Sequence, residues 1–319
     1  MQASEAKMTY AVLGVGAVGG LYGGLLAKSG CQVHFLARSD YQHLKQHGLR
    51  VESVWGNFDL PSVSVYQDAR AMPVVDCVLV AWKTTSNHEL SQVLPHLCGP
   101  KTMVLVLQNG LDVERSAAQV VGGEKVLGGC CFLCSNKIGP GHVRHLDYGR
   151  IAFGEYDSLL RGQITNRMQK IKQDFSLAGI DVQPAEDLWE VRWKKLAWNI
   201  PFNGLSVVLS ADTSALMNHG PASQLAEELM IEVAESAAAC GVAVPESHVQ
   251  QMLTYTRNMV PYASSMLLDY QARRPLELEA IFGNPIRFAM AAGYQPKSIQ
   301  MLYRQLQFID WRNRAGQPG

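Results

Sequence analysis

The chain lacks an excess of charge of either sign. Its 319 residues contain 28 Lys and Arg against 28 Asp and Glu, and charged residues make up only 18% of the sequence. Nucleic acids and anionic membrane surfaces bind concentrated positive charge, so we expect neither as a partner. The hydrophobic share of 47% is ordinary for a globular chain, and the length favours two domains.

Long apolar runs are also missing. No stretch approaches the roughly 18 apolar residues that a membrane-spanning helix needs, and the opening segment, MQASEAK, lacks the hydrophobic region of a signal peptide. We therefore expect no membrane association and a cytoplasmic protein. The first strand is predicted to begin after Met8, so we interpret residues 1–7 as a frayed or alternative start.

Cysteine is scarce, and its spacing does not complete a metal site. The seven cysteines are an odd number and lie mostly in apolar runs, which is typical of reduced thiols in a reducing compartment. Cys130, Cys131 and Cys134 form a Cys-x-x-Cys cluster that could be redox-active or half of a zinc site, but no second Cys pair or nearby His pair supplies four ligands. We interpret this cluster as strand packing and expect no metal.

Glycine, by contrast, is concentrated near the N-terminus. A Gly-x-Gly-x-x-Gly motif lies between an apolar run at 10–13 and a helical stretch that ends near residue 30. In dinucleotide-binding βαβ units the first glycine permits a tight turn, the second lets backbone approach a pyrophosphate, and the third lets the helix pack close to the strand. Three further helical glycines, at 20, 23 and 24, exceed what a plain glycine-rich turn explains. The predicted cradle residues are Gly14, Val15, Gly16, Ala17, Val18 and Gly19.

The residue after the second apolar run indicates which dinucleotide is bound. An NAD site has an acidic residue about 20 positions after the glycines, whereas this chain has Arg38 directly after residues 32–37. The planar guanidinium can pair with phosphate oxygens and stack on adenine, so the pattern favours NADP(H). Two alternatives stay open: Arg38 could form a salt bridge with Asp40, or it could be a solvated loop residue.

Apolar runs alternate with helical or polar segments in the first part of the chain, at 9–13, 32–37, 74–81, 103–107, 126–133 and 150–153. This alternation predicts an α/β fold with a Rossmann-type, doubly wound parallel sheet. A turn at 139–142, followed by runs at 142–146 and 150–153, predicts a hairpin at an antiparallel edge. After Pro184 the pattern is helical, with Asp187 as a candidate N-cap. We predict an NADP-binding domain over 8–184 and an all-helical substrate domain over 185–319.

A polar stripe interrupts the apolar pattern of the predicted helical domain. Lys195, Asn199 and Asn203 follow one another at intervals of four, so they lie on one helix face that drifts about 40° at each step. Buried polar side chains need partners or a ligand, so this face could line a site. An exposed helix face is the alternative. Pro201 within the pattern removes one helical hydrogen bond and is expected to bend the helix.

Five motifs occur in the order found in one family. They are the glycine motif at 14–19, Trp82-Lys83, Leu107-Gln108-Asn109-Gly110, the Lys195-Leu196-Ala197-Trp198-Asn199 run with Asn203, and Ser264-Ser265-Met266 with Glu277. Together they span nearly the whole chain. In this respect the sequence resembles the ketopantoate reductases (2-dehydropantoate 2-reductases).

The resemblance implies NADPH-dependent reduction of 2-dehydropantoate to (R)-pantoate, a step of pantothenate biosynthesis. It identifies Lys195 as the general acid that protonates the keto oxygen, and Glu277 as the carboxylate that binds substrate hydroxyl groups and keeps the lysine charged. Lys83 and Asn109 would contact the cofactor. The substrate-binding residues implied by the resemblance are Asn109, Asn199, Asn203 and Ser265.

Two positions depart from the family pattern. Tyr262 stands where family members often have Asn, and Gly204 where they often have Pro. A bulky Tyr262 could reshape the substrate pocket, so one alternative is a paralogous NADPH-dependent reductase of another small 2-keto acid. A second alternative is a non-catalytic NADPH-sensing protein. The apolar faces of the helical domain suit either a homodimer or the domain's own core.

Overall fold

The computed structural model of the protein describes residues 7–315, so most of the predicted N-terminal start, residues 1–6, lies outside the described residues. The described chain divides into two compact units. The sheet unit comprises residues 7–108 and 113–188, and the helical unit comprises residues 109–112 and 189–315. The predicted fold class, an α/β Rossmann-type sheet followed by a helical C-terminal region, is confirmed.

A ten-stranded sheet forms the centre of the sheet unit. The strands are β1 (Thr9–Leu13), β2 (Gln32–Leu36), β3 (Leu49–Ser53), β4 (Phe58–Leu60), β5 (Ser64–Tyr66), β6 (Val75–Val80), β7 (Cys98–Val106), β8 (Val126–Gly139), β9 (His142–Glu155) and β10 (Val182–Pro184). Their order across the sheet is β4-β3-β9-β8-β7-β6-β1-β2-β5, with β10 on β9. The β5-β2-β1-β6-β7-β8 segment is parallel, and β1 lies between β2 and β6. This reversal of strand order beside β1 is where such folds bind nucleotides.

The predicted edge hairpin is wrong. The runs at 142–146 and 150–153 both belong to β9, which is antiparallel to β8 and lies inside the sheet because β3 and β10 also pair with it. Tyr148 and Gly149 have φ values of 60° and 121° at a shift in the pairing register. This β-bulge interrupts the apolar alternation and gives the sequence the pattern of a turn.

Twelve α-helices lie within residues 7–315. They are α1 (Ala17–Lys28), α2 (Tyr41–His47), α3 (Leu90–Leu97), α4 (Arg115–Val121), α5 (Asn166–Leu177), α6 (Leu188–Val208), α7 (Thr213–Asn218), α8 (Gly220–Ala239), α9 (Glu246–Asn258), α10 (Ser265–Gln271), α11 (Asn284–Ala291) and α12 (Lys297–Ala315). A 3₁₀ segment, Thr84–Glu89, precedes α3, and a π-helix, Glu279–Gly283, precedes α11. The long helix α6 begins directly after Asp187 and runs through Pro201 without interruption.

The extra glycines of α1 have a packing role. A Cβ atom on Gly20 would lie 2.7 Å from Cγ2 of Val143, and one on Gly23 would lie 2.6 Å from Cε1 of Phe35. These residues therefore let α1 lie close to β9 and β2, where any larger residue would force the helix away from the sheet.

The cysteine cluster lies in β8, and none of the seven cysteines, which all lie among the described residues, forms a disulfide. Cys130, Cys131 and Cys134 are buried, and burial raises the pKa of the Cys134 thiol to about 12. Such a thiol is protonated at neutral pH and a poor nucleophile. Within residues 7–315 no group of three or more His, Cys, Asp or Glu side chains is arranged to hold a metal ion. Each helix in this range is too short or too polar to cross a bilayer.

Candidate active site

The predicted cradle forms the turn between β1 and α1. Gly14 has a φ of +94°, a conformation that favours glycine, and its N–H donates to the carbonyl of Leu36 at 3.1 Å. A Cβ atom at this position would lie 2.8 Å from Cβ of Trp82. The turn after β1 therefore contacts the last residue of β2 and the segment that follows β6, and glycine is the residue that fits there.

The other two motif glycines differ in their surroundings. A Cβ atom on Gly19 would lie 2.1 Å from the carbonyl oxygen of Gly14, whereas nothing lies within 4 Å of a Cβ atom on Gly16. Gly16 is the N-cap of α1 and provides no side-chain cap, and the first turn of this helix has no acidic residue. Open space beside uncapped helical N–H groups fits the pyrophosphate of a dinucleotide.

Arg38 forms its contacts with residues other than Asp40. Its guanidinium forms a salt bridge with Glu89 and lies 5.5 Å from the ring centroid of Trp82. Asp40 is held elsewhere: it pairs with Nζ of Lys137 at 2.5 Å and accepts from the N–H of Gly141 at 3.1 Å. The alternative of a salt bridge between Arg38 and Asp40 is therefore wrong, whereas Arg38 is 56% exposed after β2, so the alternative of a solvated loop residue stays open.

A hydrogen-bonded group fixes Trp82 beside the cradle. The Trp82 indole Nε1 donates to Oδ1 of Asn87 at 3.2 Å, and Nε2 of Gln108 donates to the Trp82 carbonyl at 3.0 Å. Asn87 and Gln108 also bind each other. Sequence reasoning gave no role to Asn87 or Gln108, although the position of Gln108 directly after the apolar run at 103–107 is a usable signal. Lys83 follows Trp82 and is half-buried.

Asn109 lies in a short loop that belongs to the helical unit. The next residue, Gly110, has a φ of +115°, and a Cβ atom there would lie 2.5 Å from the Ala280 carbonyl oxygen. Leu111 completes the attachment: its N–H donates to Ala280 at 2.9 Å, and its carbonyl accepts from Nδ2 of Asn284 at 2.6 Å. The loop therefore packs on the π-helix, and Glu277 precedes that helix.

The polar stripe of α6 is buried at two of its three positions. Asn199 is 4% exposed and Asn203 is 1% exposed, whereas Lys195 is half-buried. Among the described residues, Nδ2 of Asn199 and Oδ1 of Asn203 have no hydrogen-bond partner, as is also true of Nε1 of Trp193. Buried polar atoms are nearly always paired, so these two amides are expected to meet a ligand. The alternative of an exposed face is wrong for both asparagines.

Two serines connect α6 with the start of α10. The Ser206 and Ser264 hydroxyls are 2.6 Å apart, and Ser206 also donates to the Asn203 carbonyl at 3.0 Å. Ser264 caps α10 by accepting from the N–H of Leu267 at 3.1 Å. Ser265, the serine implied by the resemblance, is half-buried at the first position of this helix. Sequence analysis missed Ser206 and gave Ser264 no role.

The helical unit also contains the candidate Glu277 and the two positions that depart from the family pattern, Tyr262 and Gly204. Glu277 is 5% exposed, and its carbonyl accepts from the N–H of Ile281 at 3.2 Å, which starts the helical segment. Tyr262 is buried; its carbonyl accepts from the N–H of Thr213 at 3.1 Å, and its N–H donates to the Thr213 hydroxyl at 3.1 Å. A Cβ atom on Gly204 would lie 2.5 Å from Cδ2 of Leu302, so this departure allows close packing between α6 and α12.

A Rossmann-type sheet with a glycine cradle, joined to a helical unit with a lysine and buried amides, defines the oxidoreductases of the NAD(P)-binding class. The family model for ketopantoate reductase PanE/ApbA matches residues 10–158, and the model for its C-terminal domain matches residues 187–310. The chain belongs to the ketopantoate reductase family.

Individual relatives agree with these matches. The chain is 51% identical to a 2-dehydropantoate 2-reductase from Nostoc sp., over 97% of each chain. Among solved structures it resembles the 2-dehydropantoate 2-reductases from Geobacter metallireducens and Methylococcus capsulatus. The first has 38% identity and a TM-score of 0.90, covering 94% of this chain and 99% of the other. The second has 31% identity and a TM-score of 0.84, covering 96% and 97%.

Proposed function

We propose that the protein reduces 2-dehydropantoate to (R)-pantoate with NADPH, the reduction step of pantothenate biosynthesis, in the cytoplasm. The observation that carries this proposal is the pair of unpartnered buried amide atoms on α6, Nδ2 of Asn199 and Oδ1 of Asn203. One is a donor and the other an acceptor, and they are four residues apart on the helix that also carries Lys195.

This pair matches the substrate's functional groups. The carboxylate and keto group of a 2-keto acid only accept hydrogen bonds, so they suit the amide N–H of Asn199. The Oδ1 atom of Asn203 requires a donor, and the terminal hydroxyl of 2-dehydropantoate supplies one. A 2-keto acid without a hydroxyl would leave Asn203 unpaired, which costs free energy. The amide pair therefore favours a hydroxylated 2-keto acid.

Lys195 is proposed as the general acid. Reduction adds a hydride to the keto carbon and a proton to the keto oxygen, and an ammonium group can stabilise the developing negative charge while it donates that proton. Buried Glu277 would favour the charged form of the lysine. Ser265 and Asn109 would complete the substrate contacts.

The residues of the sheet unit fit a dinucleotide. The 14–19 cradle would hold the pyrophosphate beside Gly16, where space is open. Arg38 would bind the 2′-phosphate, and Lys83 would lie along the cofactor. When bound, NADPH supplies the hydride.

A second candidate is reduction of another small 2-keto acid, which the bulk of Tyr262 favours. The test is NADPH consumption by the purified protein with 2-dehydropantoate, with trimethylpyruvate, which is the same molecule without the hydroxyl, and with other small 2-keto acids. Selective turnover of 2-dehydropantoate would support the proposal. Equal or faster turnover of trimethylpyruvate would favour the second candidate, and binding of NADPH without turnover of any substrate would indicate a sensor.

A further inference from the structure

We propose that Glu89 sets the balance between NADPH and NADH by competing with the cofactor's 2′-phosphate for Arg38. The inference rests on the proposed function, because it concerns the dinucleotide that the cradle would hold. It adds a specificity-determining residue, Glu89, which belongs to none of the five motifs and lies more than fifty residues from Arg38 in sequence.

The geometry places a carboxylate where an NADP site needs positive charge. Arg38 follows β2, and Glu89 ends the 3₁₀ segment that begins directly after Lys83. Their side chains form a salt bridge, with Arg38 56% exposed and Glu89 29% exposed. Arg38 also lies over Trp82, whose backbone contacts the first cradle glycine. The pair is thus fixed next to the cradle.

The 3₁₀ segment that carries Glu89 is itself anchored. Asn87, two residues earlier, binds both the Trp82 indole and Gln108. The other Glu89 oxygen lies 3.6 Å from Nε2 of His88, which is largely exposed. The backbone that carries Glu89 is therefore anchored near Arg38, so we expect the carboxylate to remain close by when Arg38 binds another anion.

The two cofactors would meet this pair differently. A phosphate monoester carries a charge of about −1.5 to −2 at neutral pH, so it must take the guanidinium from Glu89 and then remain near a second negative charge. The free 2′-hydroxyl of NADH is a donor, and a carboxylate at this place accepts from it, as the acidic residue of an NAD site does. Glu89 therefore weakens the binding of NADPH and strengthens the binding of NADH.

The test is a calorimetric comparison of the native chain with Glu89→Gln, using NADPH, NADH and the fragments 2′,5′-ADP and 5′-AMP. Glutamine keeps the size of the side chain and removes its charge. We expect Glu89→Gln to bind NADPH and 2′,5′-ADP roughly threefold to fivefold more tightly, the range of an exposed ion pair, and to bind NADH more weakly. The gain should disappear when Arg38→Gln is added.

Glu52→Gln is the matched control, because Glu52 also holds an arginine and a histidine, Arg144 and His142, in the sheet unit. Weaker 2′,5′-ADP binding by Glu89→Gln would overturn the proposal and mean that Glu89 only positions Arg38. A change no larger than that of Glu52→Gln would overturn it as well. Dinucleotide binding without turnover would reject the proposed function alone, whereas no dinucleotide binding by the native chain would reject both.

Discussion

The two candidate regions are built by opposite means. The cradle of the sheet unit consists of backbone and empty space: glycines remove side chains so that N–H groups are accessible, and the Cβ position of Gly16 is open. The α6 stripe of the helical unit consists of side chains, and two buried amide atoms there have no partner among the described residues. The cradle makes room for a ligand because its glycines have no side chains, whereas the α6 stripe offers a ligand polar atoms that have no other partner within residues 7–315.

This difference has an energetic consequence. A glycine cradle costs conformational freedom, which the close packing of α1 on the sheet offsets. An unpaired buried amide costs roughly 1–3 kcal/mol for as long as no ligand is bound. Substitutions should therefore separate stability from binding in different ways in the two units.

The largest expected effect is at Lys195. Lys195→Ala should lower kcat for 2-dehydropantoate reduction by about 10²–10⁴-fold, because the keto oxygen loses its proton donor. Lys194→Ala is the control, since the neighbouring lysine pairs with Glu190 one turn away. The comparison is made by steady-state NADPH oxidation. An equal decrease of kcat in both variants would show that Lys195 is not the general acid.

Two glycine substitutions distinguish the packing role of the cradle from its role in binding. Gly19→Ala places a Cβ atom against the Gly14 carbonyl and should reduce the free energy of unfolding by roughly 1–3 kcal/mol or more. Gly16→Ala meets nothing within 4 Å, so the fold should tolerate it while NADPH affinity falls about tenfold. Thermal unfolding and calorimetric binding measure the two effects. A Gly16→Ala variant that binds NADPH normally would contradict the assignment of the pyrophosphate to this space.

The asparagines can be separated by substrate. Asn203→Leu should reduce the preference for 2-dehydropantoate over trimethylpyruvate by about tenfold or more, because it removes the acceptor for the hydroxyl. Asn199→Leu should lower kcat/KM for both substrates by a similar factor. In the absence of ligand, Asn203→Leu should also raise the free energy of unfolding by about 1 kcal/mol, since a buried unpaired acceptor is lost. If the ratio of kcat/KM for 2-dehydropantoate to that for trimethylpyruvate is unchanged, Asn203 does not bind the substrate hydroxyl.

The sequence predicts the cradle better than the stripe for a physical reason. Glycines at this spacing after an apolar run are typical of a single kind of turn, so the turn, the helix and the neighbouring strands follow from local pattern. Lys195, Asn199 and Asn203 share a helix face by periodicity, but the same spacing also occurs on exposed helices. Only their burial distinguishes the two cases, and burial depends on distant residues.

The local sequence pattern could not predict contacts between residues that are far apart in the sequence. Glu89 and Ser206 gain their importance from partners, Arg38 and Ser264, that lie about fifty residues or more away in sequence. The short strands β4, β5 and β10 have three residues each, too few to show an alternation. The β-bulge at Gly149 breaks the alternation of β9 and imitates a turn.

The smallest expected effect concerns acid stability, and both units contain a histidine that could contribute to it. Burial lowers the pKa of His145 in the sheet unit and of His248 in the helical unit. Nε2 of His145 faces the carbonyls of Asp147 and Tyr148, both at 3.0 Å, so it carries the proton, and Nδ1 accepts from the Ser53 hydroxyl at 2.8 Å. The folded chain thus holds His145 neutral.

An unfolded chain takes up a proton on this histidine below about pH 6.5, so the free energy of unfolding should fall as the pH drops from that value toward the lowered pKa. The slope is at most about 1.4 kcal/mol per pH unit for one proton. His145→Gln should flatten this part of the curve in denaturant titrations, while His88→Gln, at a largely exposed position, should leave it unchanged. If both variants keep the native slope, the acid sensitivity arises outside the β9 bulge, and His248→Gln then tests whether it arises in the helical unit.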